Sequence, residues 1–331
     1  MFSVAPFYQA PWSSSNFSTA AYRLTGFERV LAFDGRSGMF LLMDKETDTD
    51  KPLVSRVGEF IRFSHTVFAL PFALIAMVLA AQGWPGWAVF GWILLCMVSA
   101  RTAAMAFNRL VDWEFDKLNP RTEGRHRLVS KPVARGLILV SAGVFAFGCW
   151  SLNFLCLVLC PVALFLIFFY SITKRFSSFT HFFLGLALAA APMGAWAAVR
   201  GELVSLAPWL LALAVLLWVF GFDLIYSTLD AEFDRKVGLR SFPATFGVEA
   251  ALRVAPILHI GSILVLGVFG WNAGLGWPYW VAWATAAISL GYEHRLARSG
   301  DRGLVNRAFF QVNAFVGVVL LVGVIGSILF E

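Results

Sequence analysis

The sequence predicts an all-α polytopic membrane protein with nine transmembrane helices, and three observations carry that prediction. First, 59% of its 331 residues are hydrophobic and only 14% are charged, with a mean hydropathy of +0.74. A soluble domain carries about 25% charged residues, which excludes an ordinary cytosolic enzyme; the apolar content excludes a disordered chain. Second, the apolar residues gather into nine stretches close to the roughly 20 residues that a membrane-crossing helix needs. Third, threading nine crossings from a cytoplasmic N-terminus puts 25 of the 26 Lys and Arg residues on the cytoplasmic side and leaves only Arg200 opposite. One helix more or fewer destroys this positive-inside asymmetry. The net charge of +6 therefore reports topology, and no nucleic-acid partner is expected.

Taken in order, residues 1–50 read as a polar, poorly ordered extension with four basic and six acidic residues and no long apolar run. They lack the basic start and compact apolar core of a secretory signal. Met43 opens the polar run MDKETDTDK and is a second candidate start. Residues 51–331 form the nine-helix domain. The first helix is expected from about Phe63 to Ala81, closed by the Gly/Pro turn QGWPGW, and the second from about Trp87 to Leu110. Gly136 to Tyr170 is too long for one crossing, and the polar break Ser151-Leu152-Asn153 divides it into the third and fourth. The fifth covers His181 to Val199 and the sixth Leu206 to Tyr226. Ala251 to Tyr292 divides at WNAGLGWP into the seventh and eighth, and Ala308 to Phe330 is the ninth. The four cysteines, Cys96, Cys149, Cys156 and Cys160, sit inside apolar runs without a CxxC pair and read as small buried hydrophobes.

Two charged segments interrupt this apolar pattern. After the second helix, Asn108, Asp112 and Asp116 recur at i, i+4, i+8, which places them on one helical face, with Arg101 on the same stripe seven residues earlier. After the sixth, Asp223, Tyr226, Asp230 and Asp234 recur at i, i+3, i+7, i+11, again on one face. Four crossings separate the segments, so both reach the same side and can meet around one pocket. Like charges at this spacing repel, so loss of one carboxylate is expected not to lower stability. Carboxylates of this kind suit Mg²⁺, which is held by one or two of them together with substrate phosphates. The nearby bases Arg101, Arg109, Lys117, Arg121, Arg125, Lys174, Arg175 and Lys236 complement a diphosphate. A single DxxxD is more often a solvated acidic face. Two of them on one side of the membrane, each continuous with an apolar helix, favour a site.

These residues carry a family resemblance. NRLVDWEFD resembles the NxxxDxxxD motif of the UbiA-type intramembrane aromatic prenyltransferases, and GFDLIYSTLDAEFD resembles their DxxYxxxDxxxD motif. The likeness runs from about Phe60 to the C-terminus and includes NPRT, YSITKR and DRKVGLRS. It implies a nine-helix bundle around one central cavity, with Asp112, Asp116, Asp230 and Asp234 as Mg²⁺-diphosphate ligands for two ions. Asn108 lies beside them, Asp223 leads the second motif, and Tyr170, Lys174 and Arg175 match the segment that caps the diphosphate. After NPRT the chain departs from the pattern: EGRHRLVSKPVARG leaves either Arg125 or Arg127 at the family's Arg position.

The implied reaction transfers a polyprenyl group from polyprenyl diphosphate to a ring carbon of a hydroxylated aromatic acid, in ubiquinone or menaquinone biosynthesis. RFSHTVFALPFAL and ARTAAMAFNR look most like quinone-pathway members acting on a dihydroxynaphthoate, and those acting on 4-hydroxybenzoate share the same core motifs. Arg101 is the candidate for the acceptor carboxylate or the diphosphate, with a helix-packing role as its alternative; Ser64 and His65 are weaker candidates. Acceptors such as chlorophyllide, haem or homogentisate precursors are the alternative within the class. A coupled transporter is the alternative outside it, disfavoured because both clusters lie on one side instead of near the midplane. The expected setting is a bacterial-type inner membrane, with the active site and N-terminus cytoplasmic and the C-terminus on the opposite side.

Overall fold

The computed structural model describes residues 17–20, 29–34, 39–44, 52–61, 68–122, 124–299 and 301–330. The chain divides into two compact units, Met1–Arg56 and Val57–Glu331. In the first, β1 (Phe17–Ala20), β2 (Arg29–Asp34) and β3 (Met39–Asp44) form an antiparallel meander, in register from Arg29↔Asp44 to Asp34↔Met39 across β2 and β3. The sequence reading assigned no element here, because the charges interrupting this stretch mask two short runs, VLAF and MFLLM, of residues that fit a strand. Among the described residues the fold is therefore helical apart from this meander.

The helices begin and end where the chain chemistry requires. After α1 (Leu53–Phe60), α2 (Leu70–Ala81) has Pro71 in its first turn and closes on Gln82 in the left-handed region. α3 (Trp87–Val111) breaks at Asp112 into the short α4 (Trp113–Leu118), which stops before Asn119-Pro120. α5 (Arg125–Leu128) leads to α6 (Lys131–Leu152) and α7 (Phe154–Thr173), divided at the extended residue Asn153. The Asn153 side chain accepts the Cys156 N–H at 2.9 Å and donates to the Ala197 carbonyl at 2.8 Å, so the expected polar break also pins two helices together. α8 (Thr180–Arg200) and α9 (Leu206–Ser227) follow, then a 3₁₀ turn (Thr228–Asp230), α10 (Ala231–Val237) and α11 (Phe242–Phe246). α12 (Val248–Asn272), α13 (Trp277–Ala297) and α14 (Arg302–Phe330) complete the chain.

Nine of these helices fall where the apolar runs placed them, but fewer qualify as crossings. Among the described residues seven helices are long and apolar enough to span a membrane. α2 is apolar but has only 12 residues, and α13, with 21, is not apolar enough: WPYW at its start and Glu293, His294 and Arg295 at its end both dilute it. Ser64 and His65 lie outside the described residues.

α9 is the centre of the bundle. Leu211, Val215, Trp218, Val219, Phe222, Leu224 and Ile225 are all buried on it. Close approach needs small residues: a Cβ on Gly221 would lie 2.3 Å from the His259 ring of α12. A polar chain crosses the core, from Trp218 Nε1 to Asn313 Oδ1 at 2.8 Å and from Asn313 Nδ2 to Glu293 Oε1 at 2.7 Å. It ties α9, α13 and α14 together. Outward faces are apolar and exposed, as at Phe147, Phe165, Leu264 and Ile288, which suits lipid contact.

Candidate active site

A cavity of about 440 Å³ is lined by α3, α6, α7, α8, α9 and the segments that follow α3 and α9. One region is apolar, with Ile93, Phe145, Leu159, Leu188 and Ala191 in its wall. All four cysteines line the cavity as free thiols, in keeping with their reading as small hydrophobes. The other region gathers the two acidic segments.

The residue spacing predicts one continuous helical face for each segment, but neither segment is a single helix. Asp112 breaks the helix between Asn108 and Asp116, and the 3₁₀ turn ending at Asp230 breaks it between Asp223 and Asp234. A residue leaving helical dihedrals turns the following segment. Asn108, Asp112, Asp116, Asp223, Tyr226, Asp230 and Asp234 nevertheless all line the cavity.

Three of the carboxylates, Asp112, Asp116 and Asp230, are each held by a base. Lys174 Nζ donates to Asp112 Oδ2 at 2.6 Å. Arg125 donates to Asp116 Oδ1 at 3.1 Å, with Arg109 at 3.6 Å from the other oxygen. Arg121 forks onto Asp230, with Nε 2.8 Å from Oδ1 and Nη2 on Oδ2, and its Nη1 donates to the Tyr226 hydroxyl at 2.8 Å. Asn119 Nδ2 adds a bond to Asp230 Oδ1 at 3.2 Å. Asn119 and Arg121 follow the first acidic segment and grip the second, so one loop joins the two clusters. Burial pushes the Asp112 carboxyl above the usual carboxylate range, against the pull of Lys174. Burial opposes the Arg121 charge too, but the bonds it donates to Asp230 and Tyr226, with the charge of Asp230, outweigh it and the pKa rises.

Arg101, Arg109, Arg121, Arg125, Tyr170 and Lys174 also line the cavity. Arg125, not the exposed Arg127, is therefore the arginine at Asp116. Three of the bases expected at the diphosphate lie elsewhere. Arg175 Nη2 donates to the Val111 carbonyl at 2.7 Å, and its guanidinium lies over the Phe115 ring, capping the end of α3. Lys236 is exposed and pairs with Glu232 at 2.7 Å; Lys117 pairs similarly with Glu114 at 3.0 Å. Positive-inside topology alone accounts for such bases.

Sequence reasoning assigned no site role to Asn119 or His181. His181 Nδ1 lies 2.6 Å from Asp223 Oδ2. Asn119 stood in the NPRT segment, whereas nothing in the chain around His181 pointed to a partner 42 residues away.

Among the described residues no three His, Cys, Asp or Glu side chains form a ready metal cage. Asp112 Oδ1, however, is buried with no hydrogen-bond partner, and its other oxygen and those of Asp116 and Asp230 are held by Lys and Arg side chains. That donor set fits hard cations arriving with a diphosphate, which supplies the missing oxygens.

The geometry agrees with what the chain is similar to. The family model described as the UbiA prenyltransferase family matches residues 69–316. A 4-hydroxybenzoate octaprenyltransferase of Vibrio campbellii is 32% identical over 276 residues, covering 81% of this chain and 92% of that protein. One from Cupriavidus necator is 33% identical over 257 residues, covering 76% and 88%. The apo structure of a UbiA homolog from Aeropyrum pernix K1 superposes with a TM-score of 0.72 at 32% identity, over 79% of this chain and 97% of that one. A UbiA homolog from Archaeoglobus fulgidus bound to GPP and Mg²⁺ shares the fold, with a TM-score of 0.62 at 17% identity, over 82% and 99%. The chain belongs to the UbiA prenyltransferase family and is an integral, multi-pass membrane enzyme.

Proposed function

We propose that the protein catalyses Mg²⁺-dependent transfer of a polyprenyl group from polyprenyl diphosphate to a ring carbon of a 4-hydroxybenzoate-type aromatic acid. The observation that carries this reading is the meeting of two aspartate clusters and their bases at one end of an otherwise apolar cavity. The 4-hydroxybenzoate octaprenyltransferases among its relatives and the GPP- and Mg²⁺-bound fold neighbour support it.

Asp112, Asp116, Asp230 and Asp234 would hold the metal, two ions in this reading, which neutralises diphosphate charge as the allylic C–O bond breaks. Arg121, Arg125 and Lys174 leave their carboxylates for the diphosphate oxygens, so each charge exchanges one partner for another. They stabilise the departing electron pair on the diphosphate. Tyr170 and Phe222 offer aromatic surface to the allylic cation. The ring carbon forms the new C–C bond and loses its proton, for which Asp223 is the carboxylate on the acceptor side. Arg101, two turns along α3 from Asn108, receives the acceptor carboxylate. The apolar region takes the isoprenoid tail.

In this reading α2 and α13 complete nine crossings. The Lys and Arg distribution supports a cytoplasmic N-terminus and active site and a C-terminus on the opposite side. The test is purified protein with Mg²⁺, geranyl diphosphate and a panel comprising 4-hydroxybenzoate, a dihydroxynaphthoate and homogentisate. Prenylated 4-hydroxybenzoate is expected; product from another acceptor alone reassigns the acceptor, and no product from any refutes the reading.

A further inference from the structure

His181 belongs to neither acidic motif, yet from the cavity wall it bonds both to α9 and to the start of α11. It is the second residue of α8 and only 2% exposed. On one side its Nδ1 is 2.6 Å from Asp223 Oδ2 on α9. On the other, its Nε2 is 3.3 Å from the Phe242 backbone nitrogen, the first residue of α11. That N–H is an orphan donor of a helix N-terminus, so Nε2 must be the acceptor. A ring nitrogen that accepts carries no hydrogen, which leaves the proton of the neutral ring on Nδ1, donated to the carboxylate.

The contact with Phe242 reaches a segment already tied down elsewhere. The Arg240 N–H donates to the Lys174 carbonyl at 2.7 Å, and its guanidinium to the Phe176 carbonyl at 3.1 Å. Leu239 and Ser241 in that segment line the same cavity as Asp223 and His181. His181 therefore joins the Asp223 carboxylate to the backbone that closes this side of the cavity. A carboxylate on an unrestrained side chain samples several orientations, and fixing one brings it into reacting geometry before substrate arrives.

We propose that His181 is a positioning residue for the aromatic acceptor: its Nδ1–H fixes Asp223, and its anchor on the Phe242 N–H fixes the ring. The proposal rests on the acceptor-side role of Asp223 given above. Two substitutions separate the two bonds. His181→Asn carries an amide near the Nδ1 position and can still donate to Asp223; His181→Gln reaches the Nε2 position and can bond only to Phe242.

The experiment measures kcat and KM for 4-hydroxybenzoate and for geranyl diphosphate in the full-length protein and in His181→Asn, His181→Gln and His181→Ala. Thermal stabilisation by Mg²⁺ plus geranyl diphosphate is followed alongside. The Gln and Ala variants are expected to lose about tenfold or more in kcat/KM for 4-hydroxybenzoate. Their KM for geranyl diphosphate and their stabilisation by it stay close to parental, and Asn restores most of the loss. Equal damage to both substrates, an Asn variant as poor as Ala, or no loss in any variant overturns the positioning role while leaving the proposed function standing. A parent that prenylates no aromatic acid overturns that function and this role with it.

Discussion

Replacing Asp230 separates what the carboxylate does for the fold from what it does for the reaction. In the free protein it accepts a fork from Arg121, with Nε at 2.8 Å, and a bond from Asn119 at 3.2 Å. The two side chains of the ion pair are 32% and 20% exposed. Breaking a fully buried pair costs about 3–5 kcal/mol, whereas an exposed pair contributes about 0–1 kcal/mol. A pair between those limits sets the loss in Asp230→Ala at about 2 kcal/mol. Asp230→Asn keeps one acceptor oxygen for Asn119 or Arg121 and should recover about 1 kcal/mol of it. Neither variant can hold a cation by charge, so both should lose about 10²–10³ in rate. The assay pairs thermal unfolding in detergent without ligand with turnover of geranyl diphosphate and 4-hydroxybenzoate. Parental turnover in Asp230→Asn refutes the catalytic assignment. Unchanged stability in Asp230→Ala refutes the claim that Arg121 holds this carboxylate in the free enzyme.

Four further outcomes follow from the same structure. Because burial raises the Asp112 pKa, the folded state holds that proton above the ordinary aspartate range near about 3.9. Stability from this group therefore falls as pH rises through that window, and Mg²⁺-diphosphate affinity, which needs the carboxylate, rises; titrating both in the parent and in Asp112→Asn checks the sign. Arg175→Ala should cost about 1 kcal/mol of thermal stability and leave the KM for geranyl diphosphate unchanged, since the guanidinium caps α3 instead of facing the cavity. A chain starting at Met43 should insert and turn over normally; stable insertion without activity contradicts the reading of residues 1–42. Tags after Glu331 and within 200–205 should be reached from outside and tags within 236–245 from the cytoplasm; a cytoplasmic C-terminus contradicts nine crossings.

Much of this architecture was legible because membrane helices announce themselves by apolar length and end at chemically distinct residues. The break at Asn153 illustrates this: one polar residue in a long apolar run marked the boundary, and its side chain proved to cap α7 and hold α8. Both acidic segments were legible by residue type, but their electrostatics were not. Periodicity shows carboxylates on a common face and therefore predicts repulsion. It cannot show that Lys174, 62 residues from Asp112, or Arg121, 109 residues from Asp230, folds back to neutralise them. For the same reason Arg175 and Lys236 looked equivalent to Lys174 and Arg121 while serving a helix end and a surface pair. The β1–β3 meander was missed because short strands broken by charges leave a weaker signal than a helix of twenty apolar residues.

The measurement closest to the central claim is a structure of the protein with Mn²⁺ in place of Mg²⁺ and a non-hydrolysable geranyl thiodiphosphate, with the metal located by anomalous scattering. The account predicts metal between the thiodiphosphate and both carboxylate pairs, Asp112 with Asp116 and Asp230 with Asp234. It also predicts that Arg121 and Arg125 turn from their carboxylates to the diphosphate oxygens. A thiodiphosphate bound away from these residues, or metal at neither pair, contradicts it.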